Sequence, residues 1–503
     1  MRRTTRKPEP PKGEAVRRAT RIVATIGPSA AEPGFLRRLL EAGADVFRIN
    51  GAHVRPGEIR ARLELIRKVE RAWGRPVGVL LDLGGPKIRV APLEGGAVTW
   101  KKGATVEIGP GSSRGHAGRI HVTYPHLLKE VHVGAEIRID DGKVCLEVER
   151  KGAELLTARV VIGGEVKSGK GVNFPGSALS APALTPKDRR DLAEALETGV
   201  DFVGLSFVRS AKQVVHLKEL IARVPEERRP WVVAKIERPE AVADLGNIAR
   251  VADVLMVARG DLGVEVGLAA VPRLQRRILE AGRRHAVPVI VATQMLESMI
   301  EHPMPTRAEV SDVAGAVHDG ADAVMLSGET AMGAYPRESV RTMAEIAVTA
   351  ELPDSSDGPS KTRSFEPDDI TAIVADAAVR AAGTAGAAAI VVYTESGRTA
   401  RLVSKARLPI PIFAFTPWEP VRRRMTILRN VLSARIVKAG SVEEMLRSGD
   451  EALARFPGLR GRTIVEVSGS AALEGATNNV RIRRLGAAGR KPGFSGGFQP
   501  TRR

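Results

Sequence analysis

Two apolar runs in residues 231–263, WVVAKIERPEAVADLGNIARVADVLMVARGDLG, end in charged groups: Lys235-Ile-Glu237 closes the first and Arg259-Gly-Asp261 the second. A lysine beside two carboxylates can hold a hard divalent cation and an anionic ligand together. The competing interpretation is a salt-bridged helix cap, because charged loops between strands and helices are common.

Groups of this kind need elements that bring them to one place. Runs of five or six apolar residues bounded by turn signals fit strands buried on both faces, as parallel sheets require. Eight such runs alternate with helical patterns: RIVATIG, ADVFRIN, PVGVLLD, DFVGLSF, WVVAKIE, DVLMVARGD, VPVIVATQ and DAVMLSGE. Helix starts are signalled by Thr185-Pro186 with Asp188 and by the capping box Thr306 to Glu309. Eight strand–helix units in series predict a (β/α)₈ barrel, with chemistry at the C-terminal ends of the strands. There the sequence offers Thr25, Arg48, Asn50, Asp82, Ser206, Lys235, Glu237, Arg259, Asp261, Thr293, Ser327 and Glu329.

Between the third and fourth runs the texture changes to short alternating segments (AVTW, ATVEIG, RIHVTY, EIRID, KVCLEV, TARVVI) separated by Gly-rich turns. This reads as an all-β insertion hanging as a lid over the active face. Within it, Gly164 to Lys170 imitates a P-loop, but Gly171 stands where Ser or Thr is needed and no helix follows, so a Walker site is rejected. Lys170 on its turn is a phosphate contact or a solvent-exposed lysine. Past a polar stretch, AAIVVY, IPIFAF, ARIVKA and TIVEVS predict a small α/β domain. In it Thr394, Ser396, Gly397, Arg398 and Thr399 form a turn suited to a phosphate or to an ordinary helix cap. The expected parts are a basic arm (1–20), the barrel (21–90 and 178–350), the lid (91–177), a linker (351–369), the C-terminal α/β domain (370–484) and a basic tail (485–503).

Cys145 is the only cysteine, so an intrachain disulfide and a cysteine-based zinc site are excluded, which suits a reducing cytoplasm. No apolar run is long enough for a membrane span. Of the formal net charge of +19, +6 lies in residues 1–21 and +7 in residues 481–503. These ends are nearly without aromatic residues for base stacking, so solvated tails are expected rather than nucleic-acid binding.

The segments RIVATIGP, VFRIN, LDLGGPKIR, GKGVNFPG, SFVR, KIE, MVARGDLGVE, ATQMLESMIEHPMPTRAEVSDVAGAV, ADAVMLSGETAMGAYP and TESGRTA together resemble the pyruvate kinase family, in order and spacing, over about residues 20 to 484. The resemblance implies a barrel, a mobile lid and an effector domain. It also implies transfer of a phosphoryl group from phosphoenolpyruvate to ADP with Mg²⁺ or Mn²⁺, a homotetramer, and a phosphorylated small-molecule effector at the 394–399 loop. By the same resemblance Glu237 and Asp261 bind the metal, and Lys235, Arg48, Gly260 and Thr293 meet phosphoenolpyruvate. Asn50, His53, Arg89 and Lys170 meet the nucleotide, and Thr293 and Ser327 match the hydroxyl relay that protonates the enolate.

The chain departs from the family's pattern at several positions. Members that require K⁺ carry Ser, Thr and Glu where this chain has Ala52, Leu83 and Lys87, so two oxygen ligands are missing and an ammonium is present instead. Activity without K⁺ is expected. The family's Asn-Phe-Ser-His is Asn50-Gly-Ala-His53 here, and Gly51 is expected to loosen the backbone beside the substrate. Two other readings compete: a metal-dependent barrel lyase or aldolase acting on pyruvate enolates, and a non-catalytic RNA-adhering descendant.

Overall fold

Eight parallel strands close into a barrel: β1 (Arg21–Ile26), β2 (Val46–Asn50), β3 (Gly78–Asp82), β4 (Phe202–Leu205), β5 (Trp231–Ile236), β6 (Val254–Ala258), β7 (Val289–Ala292) and β8 (Ala323–Leu326). In this computed structural model the described residues are 18–27, 32–352, 369–438, 441–469 and 477–486. Most of the basic arm and tail expected from the sequence, and most of the 351–369 linker, lie outside them. Strands follow one another around the ring, and β1 closes it against β8 with Arg21 opposite Ala323. Strands rich in Val, Ile and Leu form because both faces are covered, one by barrel-interior side chains and the other by helices. All six residues of β1 and of β5 are accordingly buried.

The helices start where their caps dictate. Thr185 and Thr306 each accept a hydrogen bond from the amide three residues on, and their own amides donate to the side chains of Asp188 and Glu309, completing capping boxes. Gly199, with φ of 84°, ends the first of these helices in the left-handed conformation that glycine adopts without strain. The single helical segment expected between β5 and β6 is two short helices, Pro239–Ala243 and Leu245–Val251. Arg259, expected at a strand end, instead begins a helix, Arg259–Val266.

The insertion between β3 and β4 is built mainly of strands, and the all-β expectation is corrected by one short helix, Leu127–Glu130. A six-stranded sheet runs in the order Val172–Asn173, Glu136–Ile139, Val144–Lys151, Leu156–Ile162, Thr105–Pro110, Arg119–Val122, beside a two-stranded ribbon of Ala97–Trp100 and Gly164–Lys167. It has its own core around Trp100, Ile137, Leu146 and Phe174. The P-loop imitation is thus a strand, Gly164–Lys167, followed by a turn.

Contacts divide the chain into two units, and the barrel and lid lie in the first, with Thr426–Arg429. The second unit carries a five-stranded sheet in the order Val431–Arg435, Ile412–Thr416, Ala389–Tyr393, Thr463–Gly469, Thr477–Arg484, the last antiparallel to its neighbour. Two sequence expectations are corrected here. The strand placed at ARIVKA runs earlier, over Val431–Arg435, because its pairing with Ile412–Thr416 starts at Val431. The edge strand Thr477–Arg484 went unread because arginines alternate through it, and its burial pattern is largely exposed. No helix among the described residues is long and apolar enough to cross a membrane.

Candidate active site

Parallel closure brings the C-terminal ends of all eight strands to one rim, and the charged residues gather there. Lys235, on β5, is buried; its ammonium lies 2.9 Å from Glu237 Oε1 and 3.3 Å from Asp82 Oδ1, and donates to Ser206 Oγ at 2.8 Å. Burial opposes protonation of Lys235, but Asp82 and Glu237 outweigh it and hold its pKa above the ordinary lysine value. Asp82 is shared. Its Oδ2 accepts from Arg48 Nε at 2.8 Å, while Arg48 Nη1 reaches Thr25 Oγ1 at 3.1 Å. Burial favours the neutral acid, yet Lys235 and Arg48 pull the Asp82 pKa below its usual range.

Glu237 is fully buried and its carboxyl is pushed up, first by burial and further by Asp261, with Lys235 opposing. Its Oε2 accepts from the amide of Phe207 at 2.7 Å, whereas Oε1 has the Lys235 ion pair but no hydrogen bond. Asp261 stands near the start of the Arg259 helix, and Lys87 Nζ lies 3.8 Å from its Oδ1. A second divalent partner would relieve the mutual repulsion of Glu237 and Asp261. The described residues contain no cluster of three or more His, Cys, Asp or Glu suited to a metal. A pair of carboxylates fits Mg²⁺, which takes one or two carboxylates and completes its shell with water and substrate oxygens.

Thr293 and Gln294 follow β7 in left-handed backbone conformations, with φ of 67° and 52°. Non-glycine residues held this way need fixing from outside. Arg259 does it, donating to Thr293 O at 2.7 Å and Gln294 O at 3.0 Å while pairing with Asp312 at 2.7 Å. Arg259 is therefore a brace for the loop; its charge is satisfied by Asp312. Thr293 Oγ1 accepts from the Gly260 amide at 2.9 Å and donates to Ala292 O at 2.6 Å. Ser327 Oγ, by contrast, is buried without a hydrogen-bond partner.

At the ends of β2 and β3, Asn50 Oδ1 accepts from the Ala52 amide at 3.2 Å and so caps the short turn Gly51–His53. The expectation that Gly51 loosens this backbone is reversed. A Cβ there would lie 2.6 Å from Asp82 O, so glycine permits a close approach of the β2 and β3 ends. Lys187 also donates to Gly51 O at 2.6 Å. The pKa of His53 is lowered by partial burial and by the cations Arg89, Lys87, Arg48 and Lys187, which marks this mouth as electropositive. Arg89 Nη1 donates to Gly169 O at 2.8 Å, tying the barrel-to-lid connector to the Lys170 turn, and Lys170 pairs with Asp140 at 2.8 Å.

The residues read from sequence thus fall into linked groups. Arg48, Lys235 and Glu237 share one network, Lys87 pairs with Asp261, Gly260 with Thr293, and Arg89 with the Lys170 turn. The roles of Asp82 and Ser206 within the network went unread, although both stood among the strand-end residues. A family model described as pyruvate kinase, barrel domain, matches residues 17–340, and one described as pyruvate kinase, alpha/beta domain, matches residues 372–483.

The chain belongs to the pyruvate kinase family.

The pyruvate kinase of Mycobacterium tuberculosis is 42% identical over 473 residues, covering 93% of this chain and 99% of its own. That of Corynebacterium glutamicum is 42% identical over 476 residues, covering 93% and 98%. A crystal structure of a pyruvate kinase from Cryptosporidium parvum superposes with a TM-score of 0.85 at 32% identity, covering 93% of this chain and 96% of that one. The chain is accordingly a phosphotransferase of the pyruvate kinase type, acting on phosphoenolpyruvate and ADP. Neither the lyase nor the RNA-adhering alternative finds support among these relatives.

In this pyruvate kinase the 394–399 loop belongs to the second unit. Thr394 and Thr399 are buried, the first accepting from the Gly397 amide at 3.0 Å and the second bonded to Thr477 Oγ1 at 2.6 Å. Arg398 pairs with Asp369 at 2.5 Å. Ser396 and Arg398 are the exposed side chains among the five expected effector residues.

Proposed function

We propose that Lys235 is the catalytic cation of this pyruvate kinase and that Glu237 and Asp261 hold Mg²⁺ or Mn²⁺ beside it. The observation that carries this reading is the buried Lys235–Glu237 contact of 2.9 Å, made where Asp261 adds a second carboxylate's field. Phosphoryl transfer concentrates charge between two anions, and its catalysis is positioning plus electrostatic stabilisation. An oxygen of the ADP β-phosphate attacks phosphorus, the bond from phosphorus to the enol oxygen breaks, and a proton must then reach the methylene carbon. Lys235 and Arg48 orient and neutralise the phosphoryl group. Bound metal supplies Lewis-acid stabilisation of the negative charge that develops on the departing oxygen.

Gly260 and Thr293 contact phosphoenolpyruvate, while Asn50, His53, Arg89 and Lys170 face the nucleotide phosphates. Ser327, with its hydroxyl unengaged, is better placed as a relay than Thr293, whose proton is held by Ala292 O. Lys87, 3.8 Å from Asp261, provides a permanent positive charge where K⁺ would act, so the enzyme works without it. We further infer a cytoplasmic homotetramer whose phosphorylated effector meets the loop at Ser396 and Arg398.

A coupled pyruvate-formation assay with Mg²⁺ in K⁺-free Tris buffer tests both parts, and Lys235→Met with wild-type rate in it would overturn the role of Lys235. Wild-type kcat is expected to be unchanged on adding K⁺, and Lys87→Glu to lose activity and regain some of it with K⁺. A K⁺-dependent wild type would overturn the role of Lys87.

A further inference from the structure

The Arg259–Val266 helix has chemistry at one end and the lid at the other. Its first turn carries Gly260 and Asp261; its last presents Glu265 and the carbonyl of Val264. Arg138, from the lid sheet, donates to Val264 O and is itself gripped by Glu136 at 2.8 Å. Glu265 Oε1 accepts from Asn173 Nδ2 of the lid at 2.9 Å and from Arg238 Nη1 at 3.0 Å. Arg238 also reaches Ser177 O at 3.3 Å, on the chain returning from the lid, and Arg209 donates to Leu179 O and Ala181 O further along it. The side chains of Glu265 and Arg238 are 0% and 9% exposed, so this contact is made away from water.

A buried carboxylate taking bonds from two elements fixes their separation, since removing either partner leaves charge or polarity unpaired. Asn173 lies three residues after Lys170, and the strand between them pairs with the lid sheet through Val172 opposite Ile139. The connector before the lid is tied to the same turn through Arg89 and Gly169. A small cavity of about 40 Å³ lies between these parts, lined by Lys87, Asn173, Phe207, Arg238 and Glu265 among others.

We propose that Glu265 is a positioning residue that, through Asn173, docks the lid on the helix bearing Gly260 and Asp261 and so delivers Lys170 to the nucleotide. The inference rests on the reading of Lys170 as a nucleotide contact. It adds that the lid's position and the metal-side helix are one mechanical unit.

The test uses the full-length enzyme and steady-state kinetics for both substrates. Asn173→Ala should raise KM for ADP about tenfold, the effect of one lost buried hydrogen bond, with KM for phosphoenolpyruvate within about twofold. Asn173→Asp, which sets two carboxylates against each other, should be worse. Pairing it with Glu265→Gln, which restores a donor and an acceptor across the contact and leaves Arg238 its pair with Glu240 at 3.3 Å, should recover KM for ADP in part; a merely structural role would not give this rescue. Amide exchange in 164–173 without substrate should rise in Asn173→Asp and fall back in the double variant. Lys170→Ala separates the two ideas. If it leaves KM for ADP unchanged, the nucleotide assignment fails and amide exchange alone decides the docking. If it raises KM for ADP while Asn173→Asp moves neither KM nor exchange, or moves both KM values together without rescue, the docking role is overturned.

Discussion

Lys235 is buried yet held charged because Asp82, Glu237 and Ser206 surround its ammonium. Replacing it with Met removes the charge that meets the moving phosphoryl group, and kcat should fall by about 10²–10³. The same change leaves the Glu237 carboxylate buried without its cation and Asp82 with Arg48 alone, so the melting temperature should fall as well. Glu237→Gln should raise the Mg²⁺ concentration needed for half-maximal rate while keeping the fold, measured by titrating metal against initial rate. Lys235, Glu237 and Asp261 stood out in the sequence as a cation and two acids at the ends of apolar strands, but the run alone left a salt-bridged helix cap open, and it was the longer family motifs that favoured a site. The part Asp82 plays was harder to see. A lone acid after a strand does not reveal that it will lie between an arginine from β2 and a lysine from β5, strands far apart in sequence and separated in the ring.

At the scale of the element, the strands and capped helices of the barrel follow from local rules, and their positions in the sequence were legible to within a few residues. Thr185→Ala should therefore cost about 1 kcal/mol of stability, read as a lowered urea midpoint, with both KM values unchanged. Gly51 shows what local rules miss. Its role is set by Asp82 O on a neighbouring strand, where an added Cβ would come within 2.6 Å. Gly51→Ala should destabilise by about 1–3 kcal/mol and disturb the Arg48–Asp82 pair, lowering affinity for phosphoenolpyruvate; unchanged stability would show that the strand ends can part freely. The edge strand Thr477–Arg484 escaped for a related reason. With one face solvated and arginines along it, only its pairing with Thr463–Gly469 makes it a strand.

For the molecule as a whole, the carboxylate of Asp45 helps to secure the start of β1, beside Glu351, which accepts from the Ala19 and Thr20 amides. Asp45 Oδ2 accepts from the Ile22 amide at 2.9 Å and from Arg18 at 2.9 Å, and Oδ1 pairs with Arg21 at 3.1 Å. Burial favours its neutral form, but Arg18 and Arg21 prevail and its pKa lies below the ordinary value. A depressed carboxyl pKa adds stability that is complete above the unfolded pKa, about 3.9, and vanishes as pH falls through the folded value. Asp45→Asn should thus lower stability by about 3 kcal/mol at pH 7, and the gap from wild type should close on acidification below about pH 4. Urea midpoints across that range measure it, and a gap independent of pH would refute it.

Closure of the ring between β1 and β8 also bears on how the chain is made. Arg21 faces Ala323, and Leu80 faces Phe202 across the inserted lid. A nascent polypeptide emerging at about 5–20 residues per second therefore waits tens of seconds before its first strand meets its final neighbour. Throughout that interval β1 and the newest barrel strand present unpaired hydrophobic edges, and a holding chaperone has its longest opportunity there.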